Sequence, residues 1–412
     1  LGLNYRGVTG YRSDDQVSNF RIRPERRHEY EIGGDLSLFD GSMGVSTTIY
    51  NAINKDVIYD IDVIPSTGAD EMTANGASIQ NKGLELTIDY RVLDRERLKW
   101  ESKFIYASNK NTVLEMNGVD GEMAKLMDPN LVPSRGIAKF SEVSPGHEYA
   151  EFKVLSWSRF GHGLIIDHDL DINTPDVNID TLSGYSWNKN DVYVAKNGLP
   201  LMYSEKIWSG YAPNPAWTGS FYNELKIGNK LQLSCLLDIS MGGHIANYTK
   251  NALYEWGTHG ETENRYHPDF DNEDWYGYEE GVSTDWGKGK FQDLLNHGHR
   301  AIGPGQDSVI TFSQNLYENY MGRNTDVINN IEDASYIKLR ELALSYNFGA
   351  VSLGHLGDPN VTIRLSAQDL KTWTNYTGWD PETNMYQDRI SGEDYFNQPQ
   401  TWRANMAVQF NW

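Results

Sequence analysis

The stretch Asn81-Lys82-Gly83-Leu84-Glu85-Leu86-Thr87-Ile88-Asp89-Tyr90-Arg91-Val92 changes character at every second residue. Leu84, Leu86, Ile88, Tyr90 and Val92 fall on one side, and Glu85, Thr87, Asp89 and Arg91 on the other. A side-chain period of two is that of an extended strand, so the segment is one pleated element with an oily face and a charged face. The connection 94–97 then leads into a second long run, 98–114.

The pattern repeats along the chain. Strand candidates fall at about 1–8, 27–39, 43–60, 82–93, 98–114, 216–228, 230–247, 334–348, 360–373 and 400–412. Leu231, Leu233, Cys235, Leu237, Ile239 and Met241 form one oily row, and Val361, Ile363, Leu365 and Ala367 another. Trp402, Ala404, Met406, Val408, Phe410 and Trp412 form a third. Connections alternate between short (40–42, 94–97, 228–229, 349–359) and long (9–26, 61–81, 115–215, 248–333, 374–399). A soluble sandwich also has oily inner faces, but its strands centre on about five or six residues. Runs of about 9 to 11 residues or more suit a tilted bilayer crossing, and strict turn asymmetry is the habit of outer-membrane barrels. The fold class expected is all-β, an antiparallel transmembrane β-barrel, with Trp402 and Trp412 placed for interfacial girdles.

Composition agrees with a barrel and narrows the partners. The chain has 412 residues, with 57 Asp and Glu against 36 Lys and Arg, a net charge of −21. Such a balance excludes nucleic acid as a natural partner, since phosphate recognition needs basic patches. Mean hydropathy is −0.59, and no stretch approaches the roughly 18 to 20 apolar residues of a spanning helix. Cys235 stands alone in an apolar run, so there is no disulfide framework. The chain opens directly on a strand-like run without a leader, which reads as a piece of something longer.

The long connections hold the candidate chemistry. Segment 251–300 carries eleven Asp and Glu, four Lys and Arg and nine aromatics, among them Trp256, Trp275, Tyr276, Tyr278 and Trp286. Indole and phenol faces stack on sugar C–H faces while carboxylates accept hydroxyl hydrogen bonds, so these five are the candidate substrate contacts. The alternative is a solvated loop whose aromatics pack within it or against a partner. Asp269, Asp271, Glu273 and Glu280 occupy positions 1, 3, 5 and 12 of a calcium-loop count, but position 6 is Asp274 where the sharp turn needs Gly. Asp167, Asp169, Asp171, Asn173 and Asp176 form a second oxygen-rich group, so calcium is the one candidate cofactor. His297 and His299 lack the partner set of a zinc site. No nucleophile elbow, phosphate loop or dinucleotide fingerprint occurs, so no enzyme chemistry is expected. Glu85, Asp89, Arg91, Lys99, Glu101 and Lys103 are expected to line a lumen. The weak runs 149–160 and 192–196 are expected to pair as a hairpin inside the loop 115–215.

Several segments resemble the SusC/RagA family of TonB-dependent transporters: I-R-P-E-R-R-H-E-Y-E-I-G-G-D-L-S-L (22–38), T-I-Y-N-A-I-N-K-D-V-I-Y (48–59), N-G-A-S-I-Q-N-K-G-L-E-L (75–86), A-P-N-P-A-W-T-G-S-F (212–221), A-S-Y-I-K-L-R-E-L-A-L-S-Y-N-F (334–348) and Y-T-G-W-D-P-E-T-N (376–384). One departure lies in 161–210, where the family often has an Asp-Gly-rich stretch. The resemblance implies that 1–412 is the C-terminal part of a barrel of 22 strands, contributing about ten of them and the large outer loops 115–215 and 248–333. The plug domain and the earlier strands would lie outside it. It further implies an outer-membrane location in a Gram-negative bacterium. The expected task is uptake of oligosaccharides or peptides, with a SusD-like surface lipoprotein, the TonB complex acting through the plug, the remaining strands and outer-membrane lipid as partners. A secreted or surface-exposed β-rich carbohydrate-binding protein is the alternative. It would have to leave Leu84, Leu86, Ile88 and Met406 in water.

Overall fold

The computed structural model of the chain describes residues 2–5, 8–11, 16–62, 71–116, 135–136, 141–154, 192–193, 206–256, 258–259, 301–302, 330–385 and 392–412. Its dominant element is one antiparallel sheet whose long strands run in chain order: β1 (Arg26–Leu38), β2 (Met43–Asp62), β3 (Glu71–Arg95), β4 (Leu98–Met116), β5 (Trp217–Ile227), β6 (Leu231–Met241), β7 (Tyr336–Ala350), β8 (Asn360–Thr374) and β9 (Arg403–Asn411). Each strand pairs with its chain neighbours, and the short strand Gln16–Val17 pairs in parallel with β3. Among the described residues no helix is long and apolar enough to cross a membrane.

Three expectations are corrected by the pairing. The opening run 1–8 is not a stave of the wall, because Gly2–Tyr5 pairs with Val8–Tyr11 in a hairpin of its own. The connection 61–81 is shorter than its composition suggests, since β2 and β3 remain paired as far as Asp62 and Glu71. Polar strand ends such as Asp60, Thr73 and Asn75 carry the ladder on without an oily row, so a period of two does not mark them. Among the described residues, the runs near 149–160 and 192–196 do not pair with each other either. Glu151–Val154 joins Ser141–Val143 and Ile207–Trp208, while Val192–Tyr193 pairs in parallel with Ala301–Ile302.

Register gives the sheet two chemically different faces. On one, Leu36, Val45, Ile88, Phe104, Phe221 and Leu237 lie opposite one another across β1 to β6. Trp100, Leu225, Leu233, Leu344, Leu365 and Met406 continue the belt across β4 to β9. Among the described residues nothing covers this belt: Leu36 is 61%, Leu365 48% and Met406 66% exposed. On the other face a row runs Asp89, Lys103, Tyr222, Leu236, Glu341, Gln368 and Arg403, polar at every position except Leu236. A one-residue slip would exchange the faces, so the two rows fix the register. Lys103 pairs with Asp89 at 3.3 Å and Lys99 with Asp94 at 3.4 Å, as expected of a charged inner face.

Gly83 of the opening stretch has a structural reason. The Tyr50 ring lies across it, and a Cβ there would stand 2.3 Å from the ring and 2.4 Å from the Ser108 carbonyl oxygen. An aromatic side chain packed over a strand glycine covers backbone that would otherwise be solvated.

Small cores sit above the ends of the strands. One gathers Ala77, Val113, Met116 and Val143; another gathers Phe152, Val154 and Ala246. The strand His244–Asn247 lies between Ile331–Asp333 and Glu393–Asp394 and leads into helix α1 (Tyr248–Glu255). Asn247 caps that helix, its Oδ1 accepting from the Lys250 N–H at 2.8 Å.

Candidate functional site

The site forms where the segment after β8 returns across the polar face of β7. Its geometry begins with irregularities in the ladder. Arg340 is an extra residue in β7 between Leu339 and Glu341, and Asp369 and Leu370 face it as extra residues in β8. The break in alternation turns both Arg340 and Glu341 toward the polar face, which a regular strand cannot do. Asp369 takes the left-handed conformation, with φ at 54°, one of the few side chains that tolerate it.

Arg340 then becomes a hub. Its guanidinium donates to Asp238 at 2.5 Å, to Asp369 at 3.0 Å and to Glu382 at 2.6 Å. Lys338, two residues earlier, is only 2% exposed and donates to Asp380 at 2.9 Å and also to Glu382. Tyr336 donates its hydroxyl proton to Glu382 at 2.6 Å, and Gln400 donates to the same carboxylate at 3.0 Å. Burial works to raise the Glu382 carboxyl, but the bonds from Arg340, Lys338 and Tyr336 together outweigh it and hold the group at about 2. Arg403 reaches Asp369 at 3.7 Å from the edge strand. One side of the cluster borders a recess of about 720 Å³, lined by Arg340, Gln368, Asp369, Gln400 and Arg403.

A second group anchors the same segment to the layer over the strand ends. Tyr376 is 5% exposed and donates to Asp394 at 2.5 Å, and Thr249 donates to the other Asp394 oxygen at 3.2 Å. Burial and the neighbouring carboxylate push the Tyr376 phenol far up, so it stays a donor. Glu332 accepts from Lys250 at 3.0 Å and from the Thr377 N–H at 2.8 Å. Asn247, Lys250, His259, Thr377 and Trp379 line a smaller recess of about 370 Å³, with the Trp379 indole 76% exposed at its edge.

Of the sequence-derived substrate candidates, Trp256 falls among the described residues. It follows α1, is 56% exposed and stacks on Phe396 at 5.4 Å with the rings 10° from parallel. Trp275, Tyr276, Tyr278 and Trp286 lie outside the described residues, as do Asp269, Asp271, Glu273, Glu280, the acidic group 167–176, His297 and His299. Among the described residues no group of three His, Cys, Asp or Glu could hold a metal ion. The carboxylates of the central cluster are met by Arg340 and Lys338 instead.

Sequence reasoning missed the Arg340 cluster. Its partners are 29 to 102 residues apart along the chain, and the only local trace was K-L-R-E, where two consecutive charged residues interrupt the alternation of β7. It also missed the stack of His147 on Trp208, at 3.9 Å, in the layer beyond β4.

Comparison with known proteins places this architecture. No family model matches the chain. "TonB-dependent receptor P3" of Formosa agariphila is 23% identical over 418 residues, which is 95% of this chain and 34% of that protein. "TonB-dependent receptor P39" of the same organism is 24% identical over 416 residues, 92% of this chain and 35% of that protein. The chain therefore spans about a third of the length of the curated relatives it matches. Among solved structures, the RagAB peptide importer in its "open-open" state superposes with a TM-score of 0.58 at 14% identity, covering 95% of this chain and 35% of that one. The RagAB peptide transporter gives 0.56 at 13% identity, with 94% and 35% covered. The chain is thus similar in sequence to TonB-dependent receptors, and its sheet has the outer-membrane β-barrel fold of a SusC/RagA-like transporter.

Proposed function

We propose that this chain is the C-terminal part of the wall and outer loops of an importer that moves oligosaccharides or peptides across the outer membrane. The observation that carries the reading is the two-faced sheet. An uncovered apolar belt runs across nine strands, backed by a face of charged and amide side chains. In water such a belt drives association, whereas in a bilayer it meets lipid while the charged face lines an aqueous lumen. The same belt counts against a secreted carbohydrate-binding protein.

The edges of the sheet bear on the rest of the assembly. Among the described residues β1 and β9 each have a strand neighbour on one side only. A free edge in hydrocarbon leaves N–H and C=O groups without partners, so further barrel strands are assigned to both edges. A SusD-like lipoprotein over the outer loops and a TonB complex acting through a plug complete the proposal. Support comes from the receptors named above and from the fold shared with a peptide importer. Trp256, Trp275, Tyr276, Tyr278 and Trp286 are proposed as substrate contacts of the outer loop, and Asp269, Asp271, Glu273 and Glu280 as a calcium seat. No catalytic role is proposed.

The test uses the full-length polypeptide in its own outer membrane. Extraction only by detergent and a gel mobility that changes on boiling are expected, together with loss of uptake of one class, oligosaccharide or peptide, on deletion. A freely soluble polypeptide with heat-independent mobility would sink the proposal. Trp256→Ala is expected to weaken uptake with assembly unchanged; unaltered uptake removes Trp256 from the substrate contacts.

A further inference from the structure

The stretch from Gly378 to Met385 is fastened in two different ways. At its start it is pinned: Tyr376 is buried against Asp394, and Gly378 lies under the Tyr376 ring so closely that a Cβ would stand 2.4 Å away. Beyond Gly378 the attachment changes kind. Two carboxylates join this stretch to β7, Asp380 onto Lys338 and Glu382 onto Tyr336, Lys338 and Arg340. Trp379, between the pin and the carboxylates, leaves 76% of its surface in solvent and so adds little apolar hold.

The return of the chain repeats the contrast. Glu393 and Asp394 are almost fully buried in the ladder beside His244–Asn247, and Phe396 stacks on Trp256. The two pinned ends are tied to each other by the Tyr376–Asp394 bond, so freeing the carboxylates leaves the base of the loop closed. Compact loops with closed bases can move as units while their ends stay fixed.

We propose that residues 378–385 are a hinged catch at the outer mouth of the lumen, closed in this structure by Asp380 and Glu382 on Lys338 and Arg340. When the carboxylates let go, the stretch swings about its two ends, Gly378 under the Tyr376 ring and Met385, whose N–H donates to the Glu393 carbonyl at 2.6 Å. That motion uncovers two cations on the luminal wall, Lys338 and Arg340. The catch rests on reading this face as luminal, but its fastening is a property of these residues alone.

The experiment uses the full-length polypeptide in outer membranes, with Cys235→Ser to remove the wall thiol and Trp379→Cys carrying a nitroxide spin label. Trp379 suits the label because its side chain is mostly solvated. The parent spectrum is expected to show an immobilised component. Asp380→Asn with Glu382→Gln is expected to abolish that component, while gel mobility still changes on boiling. Glu382→Gln alone is the milder variant should the double variant fail to assemble, and a partial loss is expected. Retention of the immobilised component in assembled variants overturns the catch, as does a parent label as mobile as one at the turn residue Asn229. Heat-independent mobility in the parent would strike at the barrel reading, and the label then still reports whether the carboxylates hold the stretch.

Discussion

Arg340 and Asp369 meet at 3.0 Å because two adjacent strands are irregular at the same level. Neither residue would reach the other from a regular ladder, since the extra residue in β7 and the left-handed Asp369 in β8 are both needed to aim them. The pair therefore reports on backbone irregularity as much as on charge. Asp369→Asn keeps a residue that accepts positive φ and is expected to cost little beyond the ion pair, whereas Asp369→Val is expected to cost about 2 kcal/mol more through strain. Temperatures at which the folded gel band disappears, compared for the two variants, check the order. Equal temperatures would show that the backbone conformation carries no weight.

Gly83 is expected to be intolerant of a side chain. Gly83→Ala meets both the Tyr50 ring and the Ser108 carbonyl, and overpacking of this kind costs on the order of 1 to 3 kcal/mol. Tyr50→Ala added to Gly83→Ala relieves only the ring conflict, so the double variant is expected to recover part of the loss. Full recovery in the same band-stability measurement would mean that the backbone contact yields easily.

The two faces of β8 separate lipid from lumen within one residue. Leu365→Arg places a cation on the apolar belt, where the cost is about 2 to 4 kcal/mol near the bilayer midplane. Ser366→Arg faces the polar side opposite Asn405 and Ala343 and is expected to assemble normally. Outer-membrane yields of the two full-length variants decide it, and an equal loss in both would mean that the faces are assigned wrongly.

Much of this was legible in the sequence because the wall is governed by a local rule. Alternation marked seven of the nine long strands to within about three residues; the run 230–247 joined β6 to the separate strand His244–Asn247, and β3 was under-read because its first residues, with Thr73, Asn75 and Gly76, lack an oily row. The opening run 1–8 misled because its residues are strand-like, yet its pairing is decided by Val8–Tyr11 rather than by the wall. The Arg340 cluster was illegible for a different reason. It depends on register and on a returning loop, and no local pattern tells Asp238, Asp369 or Glu382 which cation they will meet. The aromatic residues were legible only as a class. Trp256 drew notice for its neighbours in sequence, while Trp379, more exposed, stood in a motif read for its resemblance.

Acid is expected to loosen the same cluster. Glu382 is held at about 2 against an ordinary value near 4.5, so its contribution is complete above the ordinary value and is lost as pH falls toward 2. The shift corresponds to about 3 kcal/mol at neutral pH. Asp238, Asp369 and Asp380 face the same cations, with Lys338, Arg340, Tyr336 and Arg403 around them. Glu382→Gln is expected to flatten the stability profile of the detergent-solubilised protein between pH 4.5 and 2. A variant profile parallel to the parent would move the acid sensitivity elsewhere.

Tyr376 fastens the base of the outer segment, and its hydroxyl is the shortest contact that buried Asp394 makes. Tyr376→Phe keeps the ring over Gly378 and removes only that donor. The carboxylate, 2% exposed, then has Thr249 among its remaining partners. Leaving a buried acceptor short of a partner costs about 1 to 3 kcal/mol, more when it is charged. The loss falls on local opening of the segment, because the wall strands β7 and β8 keep their ladder. Protease added outside intact cells is therefore expected to cut the full-length variant within 374–402 faster than the parent, with the folded gel band unchanged. A cutting rate equal to the parent's would show that Phe396 on Trp256 and the Glu393–Asp394 ladder hold the base without Tyr376.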